Sequence, residues 1–150
     1  MTFVNTSSWI EQLSAGGDGG IRNRVESLLI AVEAPWCPFV ELKLWNGARG
    51  DRELSALRRT ANTRVSLEID GEVWALTCRN AHLCREHGIS APASDIIVTA
   101  CARRHGVGLE HNDRHFELID SVITAALHRN VHHRGRRAGP LPRCDAPVCS

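Results

Sequence analysis

Four polar residues, drawn from four distant stretches of the chain, have the types and settings to do chemistry together: Asn5, Glu41, Asp95 and Asp113. Asn5 ends a short apolar run, "TFV", just before a set of small hydroxyl residues. Glu41 lies in the first turn of a helix expected to begin at Pro38, Asp95 opens the apolar stretch "DIIVTA", and Asp113 follows the expected strand "VGLEH". Three of the four are carboxylates. Carboxylates held close together repel and tend to take up protons, and a hard divalent cation removes that conflict. Mg2+ uses one or two carboxylates, keeps several waters and pairs with phosphate oxygens. Such an ion also turns a bound water into a better nucleophile and stabilises charge on a phosphoryl group. If these four residues share one crevice, the chemistry expected is metal-dependent hydrolysis of a phosphodiester.

The elements needed to bring them together can be read from spacing. Residues 2–5 read as a strand and 7–14 as a helix, with Trp9 and Leu13 four apart; Thr6 and Ser7 are its expected caps. "AGGDGG" is a flexible turn. "IRNRVESLLIAV" puts Ile21, Val25, Leu28, Leu29 and Val32 on one helical face. "APWC" is a short strand, Pro38 suits a first helical position, and "PFVELKLWNGA" follows as a helix. "DRELSALRRT" is a further helix with Asp51 as its expected cap. "RVSLEI" alternates as a strand, and Asp70 caps a long helix that runs to His87 and stops at Gly88. "SDIIVTACARRHG" is a helix capped by Ser94 or its neighbour and ended by Gly106, "VGLEH" a strand, and "RHFELIDSV" a final helix. Strands alternating with helices predict a parallel sheet covered on both faces, with ligands beyond the carboxyl ends of its strands.

At 150 residues and 43% hydrophobic content the chain is one domain's worth, with enough apolar material for a core. No apolar run approaches the roughly 18 to 20 residues of a membrane span, and no secretory pattern opens the chain, so the expected location is the cytoplasm. Six cysteines without a C-x-x-C pair argue against a zinc knuckle, and without export they are expected to be free thiols. The net charge of +1 hides an asymmetry: from His128 onward there are five Arg and one Asp, whereas the rest carries 13 basic and 16 acidic residues. The body is therefore not a general nucleic-acid-binding surface. Residues 128–150 have no hydrophobic period and read as a flexible basic tail able to add salt-sensitive attraction to RNA. His132, His133, Cys144 and Cys149 in that tail match no common zinc-finger spacing.

The stretches "FVNTSSWIEQL", "PFVELKLWNG", "ASDIIVTACARRHG" and "HNDRHFELI" resemble the four motifs of the PIN-domain family, in order and in spacing, over about residues 1–122. The nearest group is the VapC-type toxins of bacterial type II toxin–antitoxin systems. The resemblance implies an α/β three-layer sandwich with a mainly parallel central sheet over residues 1–127. It implies an endoribonuclease that holds Mg2+ or Mn2+ on an acidic quartet and leaves 5′-phosphate and 3′-hydroxyl ends. It also implies a homodimer silenced by a cognate VapB-type antitoxin. Carried over by position, the metal ligands are Asn5, Glu41, Asp95 and Asp113, and the last three are the catalytic carboxylates.

Asn5 departs from the family, whose first motif carries Asp. The amide still offers an oxygen, but the site loses a full negative charge. Three accounts stay open: a natural variant with altered activity, a change introduced to disarm a toxic enzyme, or a natural non-catalytic relative. The rival reading is a PIN-fold binding module that holds antitoxin or RNA without cleavage, and a weaker one is a nuclease acting on DNA. His111 stands where the family often has a hydroxyl residue, and a role for it as a general base is the minor reading. Arg103, Arg104 and His105 suit the end of a helix dipole and are expected at the surface. Trp9 and Trp45 are expected in the core.

Overall fold

The computed structural model describes residues 1–13, 16–30 and 34–132. The elements are β1 (Thr2–Val4), α1 (Thr6–Leu13), α2 (Gly19–Ile30), α3 (Pro38–Gly47), α4 (Gly50–Ala61), α5 (Gly71–Glu86), α6 (Ala93–Arg104), β2 (Gly108–Glu110) and α7 (Arg114–His132). β1 and β2 pair in parallel, with Thr2 opposite Gly108, Phe3 opposite Leu109 and Val4 opposite Glu110. Parallel pairing puts both carboxyl ends on the same side, and the Asn5 N–H continues the ladder by donating to the Glu110 carbonyl at 2.9 Å. The α/β architecture with a parallel sheet is as expected, but the sheet is smaller. "APWC" and "RVSLEI" meet only at a parallel bridge between Trp36 and Ser66. Of the alternating residues in "RVSLEI", Leu67 is buried, whereas Val65 is 52% exposed. Ile69 adds a partly buried contact with the core, but with Val65 uncovered the ladder does not extend beyond the bridge.

α6 is the axis of the fold. Its residues Asp95 to Ala102 are buried without interruption, because α5 and α7 flank it and β2 lies beside it. A helix covered all round carries no polar face, which explains the unbroken "IIVTACA". Phe3, Val4, Trp9, Trp36, Val98, Ala100 and Cys101 share the main core, and the Trp9 and Trp36 rings lie 5.8 Å apart. Ile119 and Ile123 of α7 meet Ile96 of α6 and Cys84 of α5 in a second cluster. Trp45 is half-buried against the main core, while Trp74 on α5 is the exposed tryptophan.

Helix starts follow local chemistry unevenly. Asp70 caps α5 as expected, its carboxylate accepting from the Val73 N–H at 2.8 Å. Pro38 takes a first-turn position in α3. α4 is entered from Arg49 rather than capped by Asp51, with the Glu53 carboxylate reaching back to the Arg49 N–H at 2.7 Å. α6 is entered from Pro92, so Ser94 is not its cap. α5 and α6 stop at Gly88 and Gly106, whose φ of 68° and 65° lie in the left-handed region that glycine enters without strain. α7 runs on to His132, past residue 128, where the sequence predicts the tail to begin. The tail from residue 133, with Cys144 and Cys149, lies outside the described residues, as do parts of the "AGGDGG" turn and of the segment holding Val32.

Candidate metal centre

Asp95 sits in the first turn of α6 and is buried, with 6% of its surface exposed. The Ser94 hydroxyl donates to its Oδ1 at 3.0 Å, leaving Oδ2 turned to the start of α7. There Asp113, half-exposed, closes the turn into α7 by accepting the His115 N–H on Oδ1 at 2.9 Å. The turn carries the imidazole with it: His115 Nδ1 lies 3.2 Å from Asp113 Oδ1 and 3.6 Å from Asp95 Oδ2. One donor atom from each of Asp95, Asp113 and His115 falls within 4.8 Å of the other two, a spacing that suits ligands of a shared cation.

Asn5 is at the carboxyl end of β1 and is 4% exposed. Its carbonyl accepts the Trp9 N–H at 3.1 Å, so Asn5, rather than Thr6 or Ser7, holds the N-cap position of α1. Its side chain does not serve as a cap. The amide Nδ2 donates to the Ser7 hydroxyl at 3.1 Å, while Oδ1 is buried with no hydrogen-bond partner. His115 Nδ1 is likewise buried and makes no aligned hydrogen bond. A buried polar atom left unpaired costs about 1–3 kcal/mol. An unpaired imidazole nitrogen facing two converging carboxylates is a donor set that suits a cation, so Asp95, Asp113 and His115 fit a metal.

Glu41 stands apart from the trio. It lies in the first turn of α3, half-buried, and its carboxylate accepts from Trp45 Nε1 at 3.4 Å. His111, the histidine singled out by sequence, stacks against Phe116 with ring centroids 5.1 Å apart. His115 was missed, although "DRH" at a strand-to-helix turn is a spacing that returns a side chain toward the acid before it. At the carboxyl end of β2, Glu110 pairs with Arg24 of α2 at 2.9 Å.

No family model matches the sequence. Among curated proteins it is 25% identical over 125 residues to VapC ribonuclease Mb1587 of Mycobacterium bovis, a span covering 81% of this chain and 93% of that one. Ribonuclease VapC11 of Mycobacterium tuberculosis matches over the same span at the same identity. Among solved structures, FitAcB from Neisseria gonorrhoeae superposes with a TM-score of 0.63 at 17% identity, covering 80% of this chain and 94% of that one. FitAB bound to an IR36 DNA fragment gives the same TM-score and identity. The chain resembles the VapC ribonucleases in sequence and has a PIN-like fold. The expected α/β class and family resemblance are thereby upheld on residues well beyond the four motifs.

Proposed function

We propose that this VapC-like chain is a metal-dependent endoribonuclease toxin of a toxin–antitoxin pair. The observation that carries the reading is the convergence of Asp95 and Asp113, from separate elements, within ligand distance beyond the carboxyl ends of β1 and β2. The family resemblance assigns Glu41 and Asn5 to the same set: among the described residues the Glu41 carboxylate is tethered by one long contact, to Trp45, and Asn5 Oδ1 is unpaired. A bound Mg2+ or Mn2+ would lower the pKa of a water and draw negative charge from the scissile phosphate. Asp95 and Asp113 would hold that ion, Ser94 keeps the Asp95 carboxylate oriented, and Asp113 fixes the turn through its bond to the His115 backbone. The tail adds salt-dependent attraction to RNA. The names of the curated relatives support ribonuclease activity, and the resemblance supports a VapB-type antitoxin as partner, a homodimer and a cytoplasmic setting.

The second reading is a binding module of the same fold that has lost cleavage, and the neutral Asn5 favours it. Cleavage of total RNA by the purified chain in Mn2+ and in EDTA, beside the Asn5→Asp variant, separates the two. Metal-dependent cutting by both supports the enzyme with Asn5 as a working ligand. Cutting by Asn5→Asp alone makes the chain a disarmed nuclease. Cutting by neither, with the fold intact, sinks the nuclease reading in favour of the module.

A further inference from the structure

The acidic quartet does not account for His115, whose ring nitrogen faces two of its carboxylates. The turn at Asp113 is held by the backbone N–H of His115, so it would form with many residues at this position. The ring is 40% exposed overall, yet Nδ1 itself is buried, facing both Asp113 Oδ1 and Asp95 Oδ2. The 3.2 Å contact is too poorly aligned to be a hydrogen bond, and the 3.6 Å contact is too long for one. Both are close to the separation of neighbouring ligands on one cation, about 3.0–3.5 Å for bonds of about 2.1 Å. A nitrogen in that position changes what the site prefers. Mg2+ takes oxygen ligands and gains little from imidazole, whereas Co2+, Ni2+ and Zn2+ bind it well. The exchange of a carboxylate for the neutral Asn5 amide shifts the balance the same way, since the hard, charge-driven attraction to Mg2+ is weakened.

On the reading of this crevice as a metal centre, we propose that His115 Nδ1 is a direct metal ligand that sets a preference for nitrogen-accepting first-row ions over Mg2+. The imidazole then replaces part of what the missing carboxylate would have supplied, and the site is mixed N/O in character. The rest of the side chain is partly exposed to solvent.

The test uses the full chain, with metal affinity rather than cleavage as the readout. Co2+ and Mg2+ are titrated separately by calorimetry into the unaltered chain, His115→Ala, His111→Ala and Asp95→Asn, each checked for fold by circular dichroism. Expected are Co2+ binding tighter than Mg2+ in the unaltered chain, and a Co2+ affinity about 10- to 100-fold weaker in His115→Ala. Mg2+ affinity should change less than about threefold, and the visible Co2+ spectrum should shift toward that of an all-oxygen site. His111→Ala should bind as the unaltered chain does. If His115→Ala leaves Co2+ affinity and spectrum unchanged while Asp95→Asn abolishes binding, the metal centre stands and His115 is not a ligand. If the unaltered chain binds neither ion, the metal centre falls and the ligand role with it.

Discussion

At its start, α6 presents Asp95 to a second carboxylate and to an imidazole nitrogen that has no aligned partner. At its end, ten residues on, every polar side chain of the last turn is matched. Arg103 pairs with Asp120 and donates to the Thr124 hydroxyl at 3.3 Å. Arg104 bridges Asp70 at 3.2 Å and Glu72 at 2.8 Å, and His105 Nε2 donates to the Glu68 carbonyl at 2.8 Å. The same helix thus has one end that holds the fold together and one that holds charge in tension. Arg103, Arg104 and His105 are therefore clamps between α6 and its neighbours as well as complements to the helix dipole. An end whose groups satisfy one another needs no ligand; an end with converging carboxylates and an unpaired imidazole nitrogen would be completed by one.

The sharpest way to break this contrast is Asp95→Asn. It should lower metal-dependent RNA cleavage on the order of 10³-fold while leaving Tm unchanged or slightly higher, because one of two repelling carboxylates is removed. Cleavage assays and thermal melts on one preparation check both halves. A large fall in Tm would show that Asp95 is a structural cap and that the two ends of α6 do not differ in kind.

A change at the other end should do the reverse. Asp70→Ala removes both the cap of α5 and one of the two acceptors of Arg104, and should lower Tm by about 2–5 °C with no change in metal affinity. The Val73 N–H bond, with the charge of Arg104 second to it, lowers the Asp70 pKa below its ordinary 3.8. A lowered carboxylate stabilises the fold above its unfolded pKa and loses that effect as the group protonates. The Tm gap between the unaltered chain and the variant should therefore be full above pH 4 and shrink as the pH falls further. A constant gap would leave only the helix propensity difference.

What the sequence made legible divides along the same line. Asp70, Gly88 and Gly106 act through bonds within a few residues, so local pattern was enough to place them. The four motifs, spread over the chain, pointed to Asp95 and Asp113 because their chemistry is set by residue type and by strand ends. The extent of the sheet was not legible, since alternation in "RVSLEI" says nothing of whether a neighbour covers Val65. Nor was the choice between His111 and His115. Both lie two residues from Asp113, on opposite sides, and only the turn into α7 decides that one stacks on Phe116 and the other returns to the carboxylates. Glu41 was expected on type and position alone, and its tether to Trp45 came from helical spacing of four.

The smallest effect concerns a third kind of environment, on the side of the last turn of α6 that packs against α3. Cys101 of α6 and Cys37 at the entry to α3 are both buried, with thiol facing thiol. The Cys101 thiol beside Cys37, and more weakly the Val40 and Phe39 N–H groups, favour the Cys37 thiolate. Together they outweigh burial and bring the Cys37 pKa from 9.0 down to about 7. Cys101, beside that thiolate and buried, is pushed far the other way. A lowered thiol favours the folded state fully above its unfolded pKa of 9.0 and loses that contribution as the pH drops through about 7. Relative to Cys37→Ser, which does not titrate there, the unaltered chain should gain stability as the pH rises from 7 to 9, read as a widening Tm gap. Above pH 9 the resistance of Cys101 to ionisation works against the fold and the gap should stop growing. A flat gap would mean that Cys37 stays a neutral thiol, and that the polar tension along α6 is confined to the end that holds Asp95.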